Sequence, residues 1–107
     1  MKTNELSGAA LDWAVAQCEY ANVRYGFDDS CPEYSKNWAQ GGPIIEREGI
    51  QVKQHIEEWV ALPYDAEFSE ESHYSGPTPL IAAMRCYVAS KLGDEIELPE
   101  ELEVSHV

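Results

Sequence analysis

The sequence predicts an α+β domain: a small antiparallel sheet of about three to five strands packed against an N-terminal helix and a long C-terminal core helix. Three observations carry this. An apolar stripe at helical spacing runs from Leu11 to Cys18, and a longer, better-capped one runs from Leu80 to Leu92. Between them lie short alternating stretches punctuated by Gly, Pro and Asp, which is strand and turn patterning. The 107 residues suit one domain. A domain of that size buries roughly 65% of its unfolded surface. The folded unit is expected over residues 1–95, with 96–107 as an acidic tail.

Ser7 suits the N-cap of the first helix, Gly8–Glu19. Leu11, Ala14, Val15 and Cys18 fall at i, i+3, i+4 and i+7, and Asp12, Gln17 and Glu19 fall off that stripe. Val23, Tyr25 and Phe27 alternate with Asn22, Arg24 and Gly26, predicting a strand over 22–28. A turn cluster around Cys31 follows. Residues 33–42 are polar, with Tyr34 and Trp38 as aromatic anchors. Gly41-Gly42-Pro43 is expected to break regular structure, and Pro43 to open a short helical turn closed by Gly49. Residues 50–64 fit either period; strand character at both ends with a turn near His55 is expected. An acidic loop covers 65–71. Thr78 as N-cap, Pro79 at the first helical position and Gly93 beyond the end bound the core helix, whose stripe is Leu80, Ile81, Met84, Tyr87, Val88 and Leu92. Six acids follow between 94 and 103, in a segment that is either loosely docked or a partner-binding arm.

The formal charge is −13, from 20 acids and seven bases. Such a chain repels nucleic acid and anionic membranes, and no basic stripe is present to neutralise phosphates. No run of about 18 apolar residues marks a membrane span, and the start of the chain lacks the pattern of a signal peptide. Cys18, Cys31 and Cys86 are odd in number and lack CxxC spacing, so neither a disulfide framework nor a zinc site is expected. Cys18 and Cys86 fall on apolar faces, as buried thiols suited to a reducing cytoplasm.

Enzymatic signatures are missing. His55, His73 and His106 have no metal-ligand spacing, and no nucleophile elbow, P-loop or dinucleotide fingerprint occurs. The adjacent pairs Asp28-Asp29 and Glu57-Glu58 point apart on turns or strand edges, which is wrong for a shared-proton dyad. Cys31 with His55 or His73 would make a nucleophile pair only if the fold joined them. The expectation is a protein that is not an enzyme and needs no metal or cofactor.

The candidate site rests on a local charge anomaly. The stretch 76–93 contains no Asp or Glu and carries Arg85 and Lys91. Helix starts present open N–H groups and the positive end of the dipole, a setting for phosphate or carboxylate. Thr78 and Arg85 lie two turns apart on nearly one face, and a helical side chain leans toward the N-terminus. Arg85 flanks the apolar stripe, so it is expected to serve a ligand more than the fold. The other role open to the pair is a plain cap with Arg85 neutralising an acid. Gly76 and Gly41-Gly42-Pro43 offer close backbone approach, with Arg47 beyond and Trp38 and Tyr74 as stacking platforms. The competing role is a tight turn with core aromatics.

Three blocks carry a likeness: Glu5-Leu-Ser-Gly-Ala-Ala-Leu-Asp-Trp-Ala-Val-Ala16, Asn37-Trp-Ala-Gln-Gly-Gly-Pro-Ile-Ile-Glu-Arg-Glu48, and Gly76-Pro-Thr-Pro-Leu-Ile-Ala-Ala-Met-Arg-Cys-Tyr-Val-Ala-Ser-Lys-Leu-Gly-Asp-Glu95. They resemble the NinX-type phage proteins; residues 50–75 and the segment around Cys31 lie outside the likeness. The resemblance implies a phage gene product acting in an infected bacterial cytoplasm and brings no catalytic residue with it. Two functions compete. One is a non-catalytic binder of a small anionic, nucleotide-like ligand, of the kind that would act as a sponge against host defence signals. The other is an acidic inhibitor that mimics nucleic acid or docks a basic host protein. The acids cluster at 65–71 and 94–103 instead of spreading over one face, which favours the first. Self-association is expected, because small domains often complete their pockets at subunit interfaces.

Overall fold

A computed structural model of the chain describes residues 2–19, 32–67 and 73–98. The strand expected at 22–28, the turn around Cys31, Asp28-Asp29, His106 and most of the acidic tail lie outside the described residues. Within them, a 3-10 turn at Thr3–Glu5 precedes helix α1, Gly8–Glu19, and helix α2, Trp38–Glu48. Strands β1 (Gln51–His55), β2 (Glu58–Leu62) and β3 (Tyr74–Gly76) follow, and helix α3, Pro79–Leu92, comes last. The architecture is α+β, as the pattern predicts.

Helix α3 organises the domain. Thr78 Oγ1 accepts the Ile81 N–H at 3.1 Å, Pro79 occupies the first turn, and Gly93 donates its N–H to the Ala89 carbonyl. Leu80, Ala82, Ala83, Met84, Cys86, Tyr87, Val88 and Ala89 are all buried. The burial therefore goes nearly round the helix instead of following one stripe, and Leu92, placed on the stripe by spacing, is exposed. A helix apolar on all sides belongs in the interior. Here α3 is held between the sheet and the helices α1 and α2.

The sheet is an antiparallel meander in the order β1-β2-β3. Val52, Ala61 and Tyr74 lie in register on one face and, with Trp59, pack toward the core. The ambiguous stretch resolves as a hairpin whose loop, Ile56-Glu57, sits one residue past His55. Gln51 anchors the following loop, its amide donating to the carbonyls of Pro63 and Ala66, each at 2.8 Å.

Residues 38–48 correct the expectation of a broken turn. Asn37 Oδ1 accepts the Ala39 N–H at 2.9 Å and starts a continuous helix, and Gly49 ends it in the left-handed region at φ 67°. Gly41-Gly42-Pro43 is helical. Gly41, Ile44 and Ile45 form its inner face. Pro43 has no N–H to give to the Ala39 carbonyl, but both residues are exposed, and a helix end tolerates such a gap where solvent can reach it.

A second correction concerns the end of the domain. Thr3 donates its N–H to the Asp94 carbonyl at 2.8 Å and its hydroxyl to the Gly93 carbonyl at 2.6 Å. Lys2 and Glu95 form a β-bridge. Ile96 and Leu98 then pack on the core, so the folded unit runs past residue 95 to at least 98.

Asp12 departs from the helical pattern. Instead of facing water it is buried, its Oδ1 accepting the Ser35 N–H at 2.8 Å. Burial raises its pKa, outweighing the contacts to Ser35. The folded pKa thus exceeds the unfolded one, so ionising Asp12 costs the fold stability as pH rises through and above the ordinary aspartate range. Asp12→Asn keeps the acceptor for Ser35 and removes the charge; the variant should gain on wild type in urea melts as pH rises from acid to neutral, and an unchanging difference would refute this. Ile56 offers a second check. It is 83% exposed with φ 53°, a conformation hairpin turns normally give to Gly. Relief of about 1–2 kcal/mol of strain outweighs the added unfolded-chain entropy of Gly, about 0.5–1 kcal/mol. Ile56→Gly should therefore raise the urea midpoint.

Candidate functional site

Arg85 lies where its lean toward the helix start predicts, but its partners are backbone. Nε donates to the Leu6 carbonyl at 2.7 Å and Nη1 to the Ser75 carbonyl at 2.6 Å. Desolvation lowers its pKa, with Glu5 and Glu58 acting in the opposite sense. It remains a cation. This cation braces the segment before α1 and strand β3 against α3, which corrects the expectation of a side chain serving a ligand more than the fold.

The start of α3 is equally occupied. Pro79 has no N–H, Thr78 takes that of Ile81, and the Ala82 N–H returns to the Thr78 carbonyl. Leu80, which carries a remaining amide, is only 2% exposed. Gly76 is glycine for packing: a Cβ there would lie 2.9 Å from both the Ala82 nitrogen and Ile81 Cγ2. Gly41 is too: a Cβ there would collide with the Tyr34 carbonyl and lie 2.7 Å from Leu80 Cδ1. The two Gly-Pro segments therefore meet, through Gly41 and Leu80, but the glycines admit protein atoms where a ligand was expected.

Arg47 sits at the far end of α2 in an ionic network. It grips Glu19 through Nη1 and Nη2 at 3.1 and 2.6 Å, Glu48 through Nε at 2.9 Å, and the Tyr87 hydroxyl at 3.2 Å. Tyr87 donates its hydroxyl to Glu19. The bond from Arg47 holds the Glu19 carboxyl below its ordinary pKa, and the bond to Glu19 raises that of Arg47. Lys91 lies 3.6 Å from Glu48. Trp38 is 55% exposed in the first turn of α2, beside Gly42, and Pro43 is exposed one turn on.

Tyr74, one of the expected residues, opens on a cleft. The cleft has a volume of about 460 Å³ and is lined by Lys2, Asn4, Pro63, Ala66, His73, Tyr74 and Asp94. Four separate segments build it: the start of the chain, the loop after β2, the beginning of β3 and the turn after α3. Tyr74 Oη donates to Asp94 Oδ1 at 2.9 Å, and burial beside that carboxylate pushes the phenol up to about 12. Asn4 Oδ1 accepts the Ser75 N–H at 3.0 Å, fastening the 3-10 turn to β3. Among the described residues the Lys2 ammonium has no ion pair. Lys2, Asn4, Pro63, Ala66, His73 and Asp94 carry no motif or common period that would have marked them in the sequence. A second depression, about 390 Å³, lies over the hairpin, but Gln51, its principal amide, already serves the loop carbonyls. Among the described residues no three His, Cys, Asp or Glu side chains converge as a metal site.

The bracing role of Arg85 is measurable. Arg85→Ala strands two backbone carbonyls that now accept from a charged donor, at about 1.5–3 kcal/mol for such a bond. Urea denaturation should show a loss of about 2–4 kcal/mol, with Arg85→Lys recovering part. A loss below about 1 kcal/mol, typical of a surface change, would remove the brace.

Residues 23–91 match the protein-family model described as "Bacteriophage P22, NinX". The match takes in α2, the whole sheet and nearly all of α3, and runs through residues 50–75, which the three sequence blocks leave out. It starts beyond the 5–16 block. No curated protein matches the chain. No helix among the described residues is long and apolar enough to cross a membrane. With more than half its length matched, the chain belongs to the bacteriophage P22 NinX family.

Proposed function

We propose that this chain is a non-catalytic phage protein of the infected bacterial cytoplasm that holds a small nucleotide-like ligand in the cleft around Tyr74. The observation that carries this is the Tyr74 ring, fixed through its hydroxyl by Asp94, in the wall of a cleft with the Lys2 ammonium, which has no ion pair among the described residues. Small-molecule sites are typically about 300–1,000 Å³, largely apolar with a few convergent polar groups. Pro63, Ala66 and the Tyr74 ring supply the apolar wall; Lys2, Asn4, His73 and Asp94 supply the polar groups. A base stacked on an aromatic side chain gains about 1–3 kcal/mol without sequence-like specificity. Holding a signal molecule withdraws it with no bond made or broken, the economy a counter-defence sponge requires.

The thiols support the non-catalytic part of the reading. Burial pushes both Cys18 and Cys86 up to about 12, far from the thiolate a nucleophile needs. A second reading, an acidic protein that docks a basic host protein, is favoured by the −13 charge and by Ile56, held exposed at the hairpin tip beside Glu57 and Glu58.

Calorimetry with the four common nucleosides and their 5′-monophosphates tests the first reading. At least one should bind, Tyr74→Ala should weaken it about 5- to 150-fold, and Tyr74→Phe should keep most of the affinity. Binding that ignores Tyr74→Ala in a folded variant would move the ligand elsewhere.

A further inference from the structure

We infer that the cleft selects its ligand by charge number, accepting a planar heterocycle with no more than one anionic group, such as a nucleoside or its monophosphate, and rejecting di- and triphosphates. This rests on the ligand-binding reading above and makes it specific.

The inference comes from counting what faces the cleft. Lys2 is the one cationic side chain among its described lining residues. Arg85, which is bonded to β3, gives two of its donors to the Leu6 and Ser75 carbonyls. Arg47 and Lys91 are committed to Glu19 and Glu48. Opposite Lys2, the wall carries the Asp94 carboxylate, which already receives the Tyr74 hydroxyl. Glu95, next in the chain, is bridged to Lys2 through backbone.

The backbone adds to the negative side. Asp94 follows directly on the C-terminal end of α3, whose cap is Gly93. The last carbonyls of a helix carry the negative pole of its dipole, roughly half an elementary charge. Thr3 covers the Gly93 carbonyl, and its N–H covers that of Asp94. These bonds satisfy the two carbonyls without adding a positive charge. Among the described residues the cleft therefore holds one fixed positive charge against one carboxylate and a helix C-terminus, inside a protein of net charge −13. One phosphate is met by Lys2. A second and third have no further cation to meet among the described lining residues and enter a negative field. A triphosphate site needs the reverse, a helix N-terminus and clustered cations.

Titration calorimetry on the full chain with adenosine, guanosine, cytidine and uridine, and with the mono-, di- and triphosphates of each, decides the matter. The nucleoside and monophosphate of the preferred base should bind within a few-fold of each other, and the triphosphate about tenfold or more weaker in about 0.05 M salt. In about 0.5 M salt the gap should narrow as the field is screened. Lys2→Ala should weaken the monophosphate and leave the nucleoside nearly unchanged. Asp94→Asn keeps an acceptor for Tyr74 and should bring the triphosphate closer to the monophosphate; if that variant does not fold, the salt series on wild type still decides. A triphosphate that binds as tightly as the monophosphate overturns the inference and leaves the ligand-binding reading standing. No binding by any of the panel at millimolar concentration overturns both.

Discussion

The fold depends on one constraint: α3 is buried on nearly every side, so each polar group it carries must be satisfied from within. Arg85 and Tyr87 are the two that matter. Arg85 answers by drawing the Leu6 and Ser75 carbonyls to itself, which fixes the entry to α1 and the position of β3. Tyr87 answers with Glu19, which in turn fixes Arg47 at the end of α2. The neighbours of α3 are thus placed as much by its few polar atoms as by its apolar ones. The same constraint governs the glycines, since α3 can be approached closely only where no side chain intervenes, at Gly41 and Gly76.

What the sequence reveals and conceals follows from this. The caps of α3 are local chemistry, and Thr78, Pro79 and Gly93 announce them. The hairpin was legible only in part: Ile50, Val52 and Gln54 keep a two-residue period, whereas Ile56, Trp59 and Val60 fit a helix as well. Helix α2 was not, because Gly41 takes a core position that reads as a breaker until Leu80 is seen against it. Asp12 looked like a surface residue for a related reason: its partner Ser35 is 23 positions away. Of the residues that line the cleft, the sequence singled out Tyr74. Arginine in an acid-free stretch suggests a ligand when read along the chain, whereas in three dimensions the missing acids are replaced by carbonyl oxygens.

Charge in this protein is therefore distributed by function of place. The cations near the helix ends bind the ends together: Arg47 and Lys91 lie in the last turns of α2 and α3, where the dipole favours them, and they hold Glu19 and Glu48 there. Of the other described acids, all but the buried Asp12 are exposed to water. Lys2 is set apart from this network, beside β3 and the turn after α3.

The contact of Thr3 with Gly93 and Asp94 joins stretches of chain some ninety residues apart. A wall of the cleft is made by that joint. On a ribosome, the first residues would wait unpaired while everything between them and Asp94 is synthesised, and the cleft would close only when the last helix has emerged and packed. A partly made or partly folded chain has no cleft at all. The cleft is in this sense a mark of completion: it exists only when every layer beneath it is in place.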